Sequence, residues 1–326
     1  MINKLYLYET DCVDPHKNLA TEKYLMDRVQ PGECILYLWQ NKNTVVIGKN
    51  QNAFAECRTT LLQDEGGVLA RRLSGGGAVF HDLGNLNFTF LMCKEDYDLD
   101  RQLTVIELAC KLSGINAERS GRNDILADGR KFSGNAFYQN RTHAYHHGTL
   151  MVDVDKEKLG RYLSPSKAKL EAKGVASVRS RVVNLSELAP GLTIGEMKQF
   201  MSRAFGEVYG LDADILTLQD SEEILALKAE YGSWEYLYGT PMPFTFSCED
   251  RFPWGSVQLQ LDAKNAIITD VRLYSDAMDW SLSGVVQEAL TGCRFCLADM
   301  QAALQASPLP KEISADLCRF LQAQSV

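Results

Sequence analysis

No run of about 18 or more apolar residues occurs in the 326-residue chain, and its N-terminus carries no basic-then-apolar segment. Neither a membrane-spanning helix nor a secretory leader is expected, so the expected location is the cytoplasm. Positive charge is also short. The 34 lysines and arginines stand against 42 aspartates and glutamates, a formal net charge of −8. Nothing there supplies the basic field that a nucleic-acid-coating protein needs. The nine cysteines are odd in number and mostly set in apolar runs, which reads as reduced, buried thiols rather than a disulfide frame. Cys293-x-x-Cys296 is the one metal-like spacing, but it lacks a second pair or a histidine at finger distance. It is expected on a helix, with a structural role. Internal repeats, low-complexity tracts, a Walker loop and a dinucleotide fingerprint are all missing.

What is present centres on Leu69–Phe90. A short apolar run ends in Arg71 and Arg72, breaks at Ser74-Gly75-Gly76-Gly77, and resumes as alternating apolar and polar residues with a second break at Gly84. The pattern predicts strand, glycine loop, strand, turn, strand. Three glycines without Cβ atoms let backbone N–H groups approach a ligand closely, and the two arginines are permanent cations suited to phosphate or carboxylate. A plain bend with two solvated arginines is the competing reading. The flanking serine and His81-Asp82 favour a site.

Upstream, Lys4–Tyr8 alternates as a strand, and Asp14-Pro15 predicts a capped helix to about Val29. Cys34–Trp39 and Thr44–Gly48 read as strands joined by a hairpin-like turn at Gln40–Asn43, followed by a helix over about 53–64. Downstream, Asp128-Gly129 predicts a hairpin between the segments Gly121–Leu126 and Arg130–Ala136. Alternation places Lys131 and Ser133 on one face with Phe132 opposite. A lysine there is either an edge-strand guard against aggregation or a functional cation. His143–Val154 reads as a strand. Its paired His146 and His147 lack a Glu or Cys at a ligand-like offset, so zinc is not expected. The most basic segment, Ser166–Leu185, carries Lys167, Lys169, Lys173, Arg179 and Arg181. It is either a solvated helix and loop or a mobile cover for a polyphosphate.

The last third predicts a helix capped by Thr193-x-x-Glu196, another from about Ser221 to Tyr231, and a linker at Gly239–Pro243. A hairpin carrying Val257, Leu259, Leu261, Val271 and Leu273 follows, then helices near 281–291, 295–306 and 311–323.

Four of these segments resemble, in order, the lipoate–protein ligases: Arg-Arg-Leu-Ser-Gly-Gly-Gly-Ala-Val-Phe-His-Asp, the Arg130–Ala136 lysine strand, His-His-Gly-Thr-Leu, and Lys-Gly-Val-Ala-Ser-Val-Arg-Ser-Arg. The match runs from about residue 5 to 190, and the last third is similar to the accessory domain of the longer members. The resemblance implies an α+β fold: a catalytic domain over 1–240 with mixed sheets flanked by helices, and a small α+β accessory domain over 246–326. It implies ATP-dependent activation of lipoate to lipoyl-AMP, then transfer to a lysine of lipoyl-domain proteins such as 2-oxoacid dehydrogenase E2 subunits and glycine cleavage H protein. Lys131 would be catalytic. Adenylate contacts would come from Arg72, Gly77, Ala78, Val79, Phe80, Asn123, Asp124, Lys131 and Arg179. Lipoate contacts would come from Arg72, Ser74, Gly75, Gly76, Lys131, Ser133, His147, Gly148 and Thr149. Magnesium would accompany ATP, with Asp124 as a candidate ligand, and the enzyme would act as a monomer without nucleic acid or membrane. Tyr138 departs from the arginine common after the lysine block. The rival readings are an octanoyltransferase of the same fold and a silent lipoyl-adenylate or nucleotide binder. The first is disfavoured because no cysteine falls between Cys110 and Cys248 to act as its nucleophile.

Overall fold

The computed structural model describes residues 1–51, 53–121, 123–163, 182–238, 246–264 and 267–323. Its strands in chain order begin with β1 (Lys4–Glu9), β2 (Glu33–Trp39), β3 (Thr44–Ile47), β4 (Val68–Arg71), β5 (Val79–His81) and β6 (Asn85–Cys93). There follow β7 (Glu118–Ser120), β8 (Asp124–Ala127), β9 (Arg130–Gln139), β10 (His143–Met151) and β11 (Ala213–Ile215). The C-terminal part adds β12 (Phe246–Phe252), β13 (Gly255–Lys264) and β14 (Ile267–Ser275).

Among the described residues an eight-stranded sheet runs β11-β1-β2-β6-β10-β9-β8-β7, and a three-stranded sheet runs β4-β3-β5. The large sheet is mixed: β11, β1 and β2 are parallel, and from β2 onward neighbours are antiparallel. One face is apolar. Leu36, Leu38, Phe88, Phe90 and Leu150 pack there against Val105 and Ile106 of helix Leu99–Leu112 and Met201 and Phe205 of helix Ile194–Tyr209. The second helix starts at the expected capping box, where Glu196 N–H donates to Thr193 Oγ1 at 3.2 Å and Thr193 N–H donates to Glu196 Oε2 at 2.9 Å. The other face carries Tyr37, Trp39 and Tyr145 under helix Pro15–Met26, whose first turn is held by Asp14 accepting from His16 and Lys17. The small sheet crosses this second face, and the space between the two sheets is the cleft.

The C-terminal part is an antiparallel meander of β12, β13 and β14. Its alternating Val257, Leu259 and Leu261 pack with residues of helices Leu282–Leu290, Leu297–Ala306 and Lys311–Ala323. Residues 275–280 lead from β14 straight onto the large part, starting with Ser275 N–H on Asn50 O at 2.6 Å.

Three local expectations are corrected. Gln40–Asn43 is not a hairpin turn, because β2 and β3 belong to different sheets. The segment crosses between them on the buried side chain of Asn41. The helix over 53–64 is two short helices, Ala53–Glu56 and Thr59–Asp64. They part where Cys57 bridges Leu163 and Arg58 N–H donates to Tyr162 O. Cys293 and Cys296 lie in the turn between two helices rather than on one. The Gly239–Pro243 linker falls outside the described residues.

Candidate active site

The cleft between the sheets encloses about 150 Å³. Alternation builds its floor: Trp39, Asn87 and Thr149 are in register across β2, β6 and β10, and His147 lies two residues before Thr149 on the same face. The glycine loop, from Gly76 to Val79, forms the facing wall.

Lys131 reaches this space through a β-bulge. Ile125 pairs with Ser133 but Leu126 pairs with Lys131, so Phe132 is an extra residue. The bulge flips the alternation. Lys131 shares the cleft face with Gly134, whereas Ser133 is fully buried opposite Ile125. The expectation of Lys131 and Ser133 on one face is therefore corrected, and Phe132 packs in the core. The hairpin turn itself is as read: Asp128 and Gly129 have φ of 52° and 67°. Lys131 Nζ ion-pairs with Asp124 Oδ1 at 2.6 Å, both side chains being about one-third exposed. Gly134 leaves room, since a Cβ there would come within 3.1 Å of Nζ.

Both arginines are tied to main-chain carbonyls. Arg71 donates to Gly48, Lys49, Gln51, Tyr236 and Leu237, and so staples the strand end to two other segments instead of awaiting phosphate. Arg72 lines the cleft but also donates to Val46 O, to Gly75 O and Gly77 O at 2.8 Å each, and to Ser74 Oγ. Burial pulls each guanidinium down to about 10. Arg72 thus shapes the glycine loop. Gly75 is packed so closely that a Cβ would meet Ala277 O at 2.2 Å, and Gly76, with φ +91°, donates its N–H to Ala277 O at 3.0 Å. Residues 277–278 of the C-terminal part therefore close one side of the loop.

Two histidine networks frame the cleft. His147 spans Ser74 Oγ and Glu22 Oε1, each at 2.8 Å, and Glu22 accepts from Thr89, which accepts from Trp39 Nε1. His146 faces the apolar core, where Nε2 meets Asn135 Oδ1 at 2.7 Å, and burial pushes its imidazole far below the usual range. Asn135 in turn donates from both its backbone and side chain to Asn123 O.

Of the residues expected from sequence, Arg72, Gly76–Val79, Asn123, Lys131, His147, Gly148 and Thr149 line one cleft. Ser74, Gly75, Phe80 and Ser133 stand behind it: Phe80 packs against Tyr162, and Ser74 acts on the cleft through His147. Arg179 lies outside the described residues. Sequence reading missed Glu22, His81 as a wall residue, Asn87 and Asn135. A signal existed: Asn85, Asn87 and Thr89 are polar with period two in a strand otherwise apolar and wholly buried. No group of three metal-ligating side chains exists among the described residues. Asp124, beside Lys131, is the carboxylate that would meet a divalent cation in this cleft.

A cleft with a lysine cation, a glycine wall and an apolar patch of Leu19, Trp39 and Val46 suits an anionic head on an apolar tail. The comparisons with known proteins agree. The family model described as "Lipoyl protein ligase A/B catalytic domain" matches residues 14–206, and "Bacterial lipoate protein ligase C-terminus" matches 241–318. "Lipoate-protein ligase A" of Bdellovibrio bacteriovorus is 40% identical over 300 residues, covering 89% of this chain and 88% of its own. The crystal structure of P. falciparum LipL1 in complex with lipoate superposes with a TM-score of 0.86 at 26% identity, covering 97% of this chain and 99% of that one. A lipoate-protein ligase A bound with ATP gives 0.62 at 26% identity over 73% of this chain and 99% of its own. The chain belongs to the lipoate–protein ligase family.

Proposed function

We propose the following division of labour in an ATP-dependent lipoate ligase. The lipoate tail lies along the apolar patch of Leu19, Trp39 and Val46, and its carboxylate meets Lys131. The carboxylate oxygen attacks the α-phosphorus of ATP, and pyrophosphate leaves. Two anions must approach each other for this step, and the Lys131 ammonium, touching both, offsets their repulsion. The N–H groups of Gly77–Val79 receive the α-phosphate, and Asn123 and Asp124 face the ribose or the accompanying magnesium. A lysine amine of a lipoyl-domain protein then attacks the acyl carbon, an amide forms and AMP leaves. The acceptors we assign are 2-oxoacid dehydrogenase E2 subunits and glycine cleavage H protein. Residues 1–240 form the catalytic unit and 246–326 the accessory one, working as a cytoplasmic monomer.

The observation that carries this reading is the placement of Lys131 and Asn123 across one cleft from Gly76–Val79. Residues 164–181, with most of the basic segment, lie outside the described residues; at its end Val182 bridges Lys131, and Val183 N–H donates to Lys131 O at 2.9 Å. That position supports the basic segment as a cover over the phosphates. An octanoyltransferase would need a thiolate, and no cysteine is among the residues lining the cleft. Mass spectrometry of a lipoyl-domain acceptor incubated with enzyme, lipoate, ATP and magnesium tests the reading. A lipoyl mass gain that requires both ATP and free lipoate supports it. Transfer without ATP from an acyl thioester donor, whose thiol is the leaving group, identifies the transferase, and a protein that modifies the acceptor with neither donor is a silent binder.

A further inference from the structure

Five buried side-chain polar atoms lack a partner among the described residues, and two of them, His81 Nε2 and Asn87 Nδ2, belong to residues lining the cleft. Both side chains are more than nine-tenths buried. An orphan polar atom at such a position is costly unless a ligand or water completes it.

The hydrogen-bond chain behind His81 decides what its free nitrogen is. Asn18 Nδ2 donates to the carbonyls of Cys12 and Gln40, which fixes the orientation of that amide. One of its two protons is shared with Asn41 Oδ1 at 3.1 Å, and the flipped amide would set two NH2 groups against each other, so Asn41 presents its Nδ2 to His81 Nδ1 at 3.2 Å. Nδ1 is then the bare acceptor, and the proton sits on Nε2. Burial pulls its pKa down to about 3, so the ring is neutral at working pH. Asn87 Oδ1 accepts from Asn85 Nδ2 at 3.0 Å, which leaves its Nδ2 as a second free donor. The two are neighbours in the fold. Asn41, which anchors His81, follows two residues after Trp39, and Trp39 is the register partner of Asn87.

Resting on the ligase reading, we propose that His81 Nε2–H and Asn87 Nδ2–H together bind the acyl carbonyl oxygen of the substrate, first as lipoate and then as its adenylate. Two neutral donors suit the oxygen that stays a carbonyl, whereas the Lys131 cation lies between the attacking carboxylate oxygen and the phosphate, which the glycine loop receives. As negative charge builds on that oxygen during attack by the acceptor amine, the pair is placed to stabilise it.

Two stable analogues of lipoyl adenylate of equal charge provide the test: a β-ketophosphonate that keeps the carbonyl and an alkyl phosphonate with methylene in its place. Calorimetric titration of the wild-type protein should favour the ketone by about tenfold or more. His81→Leu and Asn87→Leu should each shrink that preference, the double variant should abolish it, and His81→Gln, which keeps a donor, should retain part of it. Each leucine removes an orphan donor but also the acceptor of buried Asn41 or Asn85, so melting of the ligand-free variants is the folding control, and the ketone-to-methylene ratio within one folded variant reads the contact itself. Variants that preserve the wild-type preference, or weaken both analogues alike, overturn the proposal and leave the pair holding a water. A wild-type protein that binds neither analogue instead overturns the ligase reading, and this proposal with it.

Discussion

Lys131 Nζ stands 2.6 Å from Asp124 Oδ1, the two residues meeting diagonally across the arms of one hairpin. The pair is about one-third exposed, so its worth to folding is small, about 0–1 kcal/mol. Its value lies in aiming a flexible ammonium into the cleft. Lys131→Ala should lose lipoate-dependent pyrophosphate release by roughly 10²–10³ while melting normally. Lys131→Arg should also be poor, since the planar fork cannot act as a point charge between two anions. Near wild-type adenylate formation by Lys131→Ala would remove this residue from the mechanism.

Asp124→Asn should keep the fold and slow adenylation by roughly tenfold, a partial share of the loss typical for one preorganised group. If Asp124 also serves magnesium, the variant will need more of the ion for half-maximal rate. A rate unchanged at every magnesium concentration would mean that Asp124 neither aims Lys131 nor meets the metal.

Gly75→Ala should loosen the seat of the C-terminal part on the glycine loop. A Cβ would lie 2.2 Å from Ala277 O and 2.7 Å from Met278 O, and both obstacles are backbone. The expected cost is about 1–3 kcal/mol, with faster proteolysis between the two parts. Digestion indistinguishable from the wild type would show that residues 277–278 do not bear on this loop in solution.

The buried histidines set an acid limit. Burial depresses His146 far below its ordinary value of 6.5 and His81 to about 3. Unfolded chains take up these protons below about pH 6.5 and the folded protein does not, so the unfolded state binds more protons. Stability is then full above pH 6.5 and falls as the pH drops from there toward 3. Each histidine contributes up to about 1.4 kcal/mol per pH unit. Urea titrations between pH 7.5 and 4.5 should show this slope, and His81→Gln should flatten it. An identical slope in the variant would refute the assignment.

Arg71→Lys should destabilise by about 2–4 kcal/mol, because an ammonium cannot satisfy five carbonyls from two segments. Thermal melting reads this directly, and a shift of under a degree would show the staple to be dispensable.

Features encoded within a few residues were legible in the sequence: the Asp14-Pro15 cap, the Thr193–Glu196 box, the Asp128-Gly129 turn and the glycine loop. Each is a local hydrogen bond or a φ preference. The bulge at Phe132 was not legible, because it depends on how Ile125 and Leu126 seat against the core, and it reversed the face assigned to Ser133. The parting of β2 and β3 into separate sheets was hidden for a similar reason. Asn41 looks like a turn residue, and only Asn18 and His81, far away in the chain, make it a buried bridge. The site core of Lys131, the glycine loop and His147 could be named, but its supporting carboxylate, Glu22, sits in a helix that gives no sign of it.

The parallel pairing of β1 with β11 has a consequence for synthesis on the ribosome. Leu5, Tyr6 and Leu7 wait for Ala213, Asp214 and Ile215. About 200 residues separate the two strands, so at 5–20 residues per second the outer edge of β1 stays bare for roughly 10–40 s. The match to the catalytic-domain family ends at residue 206, short of that strand. A fragment cut there would keep a permanently open edge, a template for self-association. The nascent chain passes through the same state each time it is made.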